Sequence, residues 1–189
     1  MEPRLKKKWL IYSSIGPAAK VDRWMRPDMG ADIAVCRYHA ESPAVEFARY
    51  SAVNPSVKFP NFFFMLEKFP AMADYDYFLW ADDDIEISTE DVIGFMQRVE
   101  AHGLDMAQPS LSEGSDVSWP HLIHKPDRGL EPTIFVEIQF FAFSKRLFDA
   151  ARSVFQSGYS GFGMDVATSR LIEKHQFNAA IDHSIMMYH

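Results

Sequence analysis

Apolar runs separated by turn residues recur along the first half of the chain. Trp9 to Tyr12 lead without interruption into Ser13-Ser14, and Gly16-Pro17 follow. This predicts a strand over WLIYSS and a short helix from about Ala18. DIAVCRY predicts a second strand, whereas residues 39–57, with Pro43 and Pro55, read as irregular. Phe59, Phe62, Phe63, Leu66 and Phe69 recur at spacings of three and four, the mark of a helix with one apolar face. Pro60 fits its first turn and Pro70 ends it. YFLWA reads as a short buried strand, with Asp82, Asp83 and Asp84 at its carboxyl end.

Ser88, with Asp91 three residues on, is a variant capping box that opens a helix. Ile93, Met96 and Val99 turn to the core, and Gly103 ends the helix. DMAQPS predicts another strand. PTIFVEIQFFAFS predicts the longest one, since Val136, Ile138 and Phe140 alternate with Glu137, Gln139 and Phe141. A helix from about Lys145 to Gln156 runs into SGYSGFGMD, a last helix spans about Asp165 to His175, and AAIDHSIMMYH is a terminal strand. Strands and helices in alternation predict an α/β fold with a mainly parallel sheet between helices. Ligands of such sheets sit at the carboxyl ends of strands, which groups the acidic triplet, Ser13, Ser14 and Lys58 on one rim.

Composition narrows this picture. The chain has 189 residues, 48% hydrophobic and 14% aromatic, which suits one domain over 1–189 with a real core. A net charge of −7 argues against gripping nucleic acid or anionic lipid through overall charge. The single cysteine, Cys36, lies in ADIAVCRY and reads as a buried structural thiol. Nothing demands an oxidising compartment, so a cytoplasmic location is expected. The first residues mimic a signal peptide, but the run Trp9 to Tyr12 is shorter than the seven or so residues of a signal core. No run is long enough to span a bilayer.

The chemistry concentrates in four places. Three adjacent carboxylates repel unless something compensates. In an extended chain Asp82 and Asp84 share a side and suit a hard divalent cation bridging the phosphates of a nucleotide, while Asp83 points elsewhere, to a ribose or sugar hydroxyl. The bland alternative is a solvated acidic turn before a helix. A calcium loop of the EF-hand type fits poorly, because Ile87 stands where glycine is needed and Ile93 where a bidentate Glu is needed. In GFGMD, Gly161 and Gly163 permit close approach, and Asp165 is either a helix-start acid or a general base for an acceptor hydroxyl. Gly-Lys-Ser/Thr is absent, so this is no phosphate loop. In IDHSIMMYH a terminal His189 either frays or, with apolar residues before it, is held in a docked chain, and Asp182 and His183 are either alternative site members or surface residues. In SWPHLIHKP, Trp119 either stacks on a sugar or base or sits in the core, and His121 and His124 either bond hydroxyls or face solvent. Glu137 and Gln139 face water or line an acceptor pocket.

Taken in order, YDYFLWADDDIEIS, AQPSLS, VEIQFFAFSKRLFD, GFGMDVATSRLI and IDHSIMMYH resemble the GT-A-fold glycosyltransferases. More closely they resemble the glycosyltransferase-like family called domain of unknown function 707. The resemblance covers residues 58–189 well and the first 57 loosely. It implies a three-layer α/β/α sandwich with a mixed, mainly parallel central sheet. It implies a metal-dependent glycosyltransferase with an Asp-x-Asp motif whose ends, Asp82 and Asp84, bind Mn2+ or Mg2+ and the donor diphosphate. His189 would complete the metal shell. Asp165 would be the base of an inverting reaction. Lys58, Ser13, Ser14 and Asp83 would contact the nucleotide. The donor implied is a nucleotide-sugar, by analogy a UDP-sugar, and the acceptor a carbohydrate or another hydroxyl compound. The chain is short for this fold and stops at His189, so a minimal acceptor portion and no further lid are expected, and an inactive or partner-dependent domain is an open alternative. A divalent-metal phosphohydrolase or nucleotidyltransferase would use the same carboxylates, and a carbohydrate-binding or scaffold domain would have lost turnover.

Overall fold

The computed structural model describes residues 8–189. Residues 1–7, on which the signal-peptide-like reading partly rests, lie outside the described residues. The strands are β1 (Trp9–Ile15), β2 (Ala31–Arg37), β3 (Tyr50–Val53), β4 (Tyr77–Ala81), β5 (Met106–Leu111), β6 (Leu130–Pro132), β7 (Phe140–Ser144) and β8 (Ala179–Met187). The helices are α1 (Lys58–Lys68), α2 (Thr89–Ala101), α3 (Lys145–Ser157) and α4 (Met164–His175). Among the described residues all eight strands form one sheet in the order β3-β2-β1-β4-β7-β5-β8-β6. β1 to β4 pair in parallel, as do β5 and β8, while β7 runs antiparallel between β4 and β5. β6 is an antiparallel edge on β8.

Side chains of alternate parity leave the sheet on opposite faces. On one face the Trp80 ring meets Tyr12, Phe59, Phe62, Phe141, Phe143 and Phe155, with centroids 4.4 to 5.7 Å apart. This packs α1 and α3 onto the sheet, each ring pair adding about 0.5–1.5 kcal/mol beyond its buried area. On the other face Phe140 meets Trp24 and Phe95, which bring in the segment after β1 and helix α2. The result is the expected sandwich of helices, mixed sheet and helices.

The structure corrects four expectations. The helix from Ala18 is a single 3-10 turn at Val21–Arg23. The irregular stretch before α1 contains β3, which pairs with β2 from Ala34 to Arg37. The long strand over residues 132–144 breaks into β6 and β7, separated by an irregular crossing. There the Thr133 hydroxyl accepts from the Phe135 N–H and donates to the Phe135 carbonyl, both at 3.0 Å, and the Glu137 N–H donates to Gln108 Oε1. Local side-chain bonds have taken over donors that a ladder would use. The chain also turns at Asp83-Asp84 rather than running on extended.

The carboxyl ends of β1, β4, β5 and β8 face one rim, and β7 begins there. The Asp82 N–H donates to the Gln139 carbonyl at 2.8 Å, so the exit of β4 and the entry of β7 are clamped together. The chain end is clamped as well. Glu86 and Tyr188 exchange two backbone hydrogen bonds, at 2.9 and 3.0 Å.

Candidate functional site

At the end of β1, Ser13 and Ser14 leave on opposite faces. Ser14 lines the rim cavity and its hydroxyl accepts from Asn61 Nδ2 at 2.8 Å, which ties the strand to α1. Ser13 is fully buried on the other face, as strand alternation requires, and does not line the cavity. Gly16 follows, and the Tyr38 ring lies across it. A Cβ at Gly16 would come within 2.0 Å of the Tyr38 hydroxyl.

The three aspartates part company at the turn. Asp82 Oδ1 accepts from Lys58 Nζ at 2.6 Å, and the same ammonium donates to the Ile138 carbonyl. Lys58 is the first residue of α1, and its own carbonyl accepts from the Tyr12 hydroxyl at 2.7 Å, so the helix start is fixed to β1. Asp83 turns back to β1. Its Oδ2 accepts from the Gly16 N–H at 2.6 Å and from the Tyr38 hydroxyl at 3.4 Å. Burial pushes the Asp83 carboxyl up, the Gly16 bond opposes that, and Asp84 and Asp82 add to the rise. Asp84 is exposed and pairs with His189, Oδ1 to Nε2 at 3.3 Å. Asp82 and Asp84 therefore do not share a side, because the alternation that would align them ends where the chain turns.

His189 is docked. Its carbonyl accepts from the Asp116 N–H at 2.9 Å, its N–H lies 3.4 Å from Ser115 Oγ, and its Nδ1 is buried with no hydrogen-bond partner among the described residues. Among the described residues no three His, Cys, Asp or Glu side chains are gathered to hold a metal ion. The Asp84–His189 pair fits a smaller role. Ligands about 2.1 Å from an octahedral cation, on adjacent vertices, sit about 3 Å apart, close to the observed spacing. Asp82, committed to Lys58, does not join them.

A cavity of about 660 Å³ opens at this rim. Ser14, Tyr38, Lys58, Asp82 and Asp83 form one part of its wall. Glu137, Ser118 and Trp119 contribute another, and the segment from Ser160 to Val166, with Asp165, a third. Asp165 is the second residue of α4, and its Oδ1 accepts from the Val166 N–H at 2.8 Å. Gly163, at φ 76°, holds the left-handed turn that starts this helix.

Other sequence candidates lie elsewhere. His121 packs its ring on Phe135, and His124 Nδ1 meets the Ser110 hydroxyl at 2.9 Å. Asp182 is buried against Arg98, and His183 Nδ1 accepts from the Lys125 N–H. These four residues do not line the cavity. Conversely, no sequence pattern marks Tyr38, which lines the cavity, and the sequence leaves Glu137 between solvent and pocket. Glu137 is 7% exposed, and its Oε2 has no hydrogen-bond partner among the described residues. Burial pushes its carboxyl up, Asp165 adds to the rise, and His189 and Ser118 oppose it. One signal was available: Glu137 is the sole charge in the apolar run from Ile134 to Phe143.

No family model and no curated protein sequence matches the chain. Solved structures do. The crystal structure of S. aureus TarS 1-349 in complex with UDP superposes with a TM-score of 0.62 at 9% identity, covering 96% of this chain and 60% of that chain. A second TarS 1-349 structure gives 0.61 at 9% identity over the same shares. The complex with UDP-GlcNAc gives 0.54 at 10% identity, covering 77% of this chain and 47% of that one. At such identity the likeness establishes a shared fold, and the expected GT-A-like class is the observed one. The chain spans about 60% of the length of the first two of these TarS 1-349 chains.

Proposed function

We propose that this protein is a glycosyltransferase that moves a sugar from a nucleotide-sugar, a UDP-sugar, to a hydroxyl of a carbohydrate acceptor. The observation that carries the reading is the rim cavity itself, in which one wall bears Lys58, Asp82 and Asp83 and another bears Asp165. The shared fold supports it, because TarS has been crystallised with UDP and with UDP-GlcNAc. The ordered motifs support the finer kinship with the domain of unknown function 707 family. The lone buried Cys36 supports a cytoplasmic setting, and among the described residues no helix is long and apolar enough to cross a membrane.

In this reading Lys58 exchanges part of its contact with Asp82 for the donor diphosphate, and Asp82 keeps the ammonium aimed into the cavity. Asp83 and Tyr38 shape the nucleotide end. Asp165 accepts the proton of the acceptor hydroxyl as its oxygen bonds to the anomeric carbon. The bond from that carbon to the diphosphate breaks with its electrons, and UDP leaves. Attack opposite the leaving group inverts configuration. Asp84 and His189 are the residues that would hold Mn2+ or Mg2+. A cation there would supply positive charge to the leaving diphosphate.

The test is a nucleotide-sugar screen with and without Mn2+, read by thermal shift and by release of nucleoside diphosphate. UDP should stabilise the protein, more so with Mn2+. Asp84→Ala and His189→Ala should abolish the Mn2+ increment, which is visible without turnover. Asp165→Asn should keep UDP binding and lower turnover at least 100-fold. A protein indifferent to UDP and its sugars would end this reading, and phosphate release from simple esters without acceptor would replace it with a phosphohydrolase.

A further inference from the structure

Part of the cavity wall is ill suited to phosphate. Glu137 and Asp165 line it together, and two carboxyl groups on one stretch of wall disfavour a diphosphate there. The neighbouring groups suit a neutral polyhydroxylated ring. Trp119 lines the cavity, is 42% exposed, and is held from behind by Phe135 at 4.9 Å between ring centroids. Glu137 lines the same cavity, and its Oε2 is buried beneath that wall and lacks any partner among the described residues. A buried polar atom in a cavity wall without a partner is costly unless a ligand completes it. Aromatic faces take the C–H face of a sugar while carboxyl oxygens take its hydroxyls.

We propose that Glu137 and Trp119 form the acceptor subsite, and that the acceptor is a pyranose stacked on the Trp119 indole with its hydroxyls on the Glu137 carboxyl. The proposal rests on the glycosyltransferase reading, since it takes Asp165 to be the group that receives the acceptor's proton. Bound there, the sugar lies beside Asp165. Phe162, 92% exposed between Gly161 and Gly163, stands at the mouth of the same cavity.

The chain has four tryptophans, and Trp9, Trp24 and Trp80 are 3% exposed or less, so collisional quenching of native fluorescence reports on Trp119. The probes are methyl glycosides of glucose, galactose and N-acetylglucosamine, titrated against acrylamide quenching with UDP present. At least one should protect Trp119. Trp119→Phe should remove the protected signal. Glu137→Ala should weaken protection about tenfold or more, and isosteric Glu137→Gln several-fold, with the thermal shift by UDP retained in both. Protection unchanged in both Glu137 variants would overturn the proposal. So would protection by UDP-sugar but by no free glycoside, which would put the donor's sugar on Trp119. Failure of every glycoside while UDP still stabilises the protein would sink the subsite and leave the glycosyltransferase reading standing. Protection without any UDP binding would do the reverse.

Discussion

A single carboxyl can record its surroundings in the pH dependence of the fold. Glu137 is buried, and burial with the Asp165 charge raises its affinity for a proton in the folded chain. Its contribution to stability is therefore fully present below the ordinary Glu range and lost as pH rises through the folded value. Glu137→Gln removes that loss. In metal-free buffer the variant should melt with the parent near pH 4 and above it near pH 8, roughly 2–4 °C for each kcal/mol recovered. A variant that melts lower at pH 8 would mean that the carboxylate is solvated or paired. Cys36 makes a second prediction at this scale. It is wholly buried, and burial raises its thiol to about 11. A disulfide reagent at pH 8 should leave it unmodified in the native protein and modify it after unfolding. Cys36 was legible in the sequence because a buried strand surrounds it. Glu137 was only half legible, because strand alternation would turn it to one face, whereas the irregular crossing buries it in a cavity wall.

Among the elements, those with a local cause were the ones the sequence revealed. Ser88 caps α2 as its spacing predicts: its hydroxyl accepts from the Asp91 N–H at 3.0 Å and donates to Asp91 Oδ2 at 2.7 Å. Ser88→Ala should cost about 1 kcal/mol, measured by denaturant unfolding, with Ser88→Gly milder. Gly163 serves α4 in another way, through its positive φ. Gly163→Ala should cost on the order of 1 kcal/mol by the same measurement, since space is free around it and only the backbone is strained. The failures have the opposite cause. The apolar alternation of Val136, Ile138 and Phe140 is real, yet Val136 and Ile138 are buried without a partner strand, and the neighbouring N–H groups of Phe135 and Glu137 donate to the Thr133 and Gln108 side chains instead of a ladder. β3 was hidden because a four-residue edge strand between prolines carries too little pattern to show.

On the scale of the whole molecule, the rim was legible because parallel strands place their carboxyl ends together, and the apolar run into three aspartates marks one such end. The pairing within the rim was not. The sequence could not show that Lys58 takes Asp82, or that Asp83 closes on Gly16, since both depend on a turn at Asp83-Asp84. The charge pattern yields a further prediction. Lys58→Ala leaves Asp82 without its cation and the diphosphate without Lys58, so UDP affinity should fall tenfold or more by calorimetry while UDP-independent stability changes little, because the pair lies at a partly exposed rim.

The reciprocal backbone bonds between Glu86 and Tyr188 join residues 102 positions apart, and they flank Asp84 on one side and His189 on the other. Those two amides should therefore exchange with deuterium as a pair, since either bond opens only when the chain end lifts. Any occupant that draws Asp84 and His189 together slows both. Amide exchange at two backbone positions outside the cavity thus becomes a clock for occupancy, one that keeps time with no turnover and no labelled substrate.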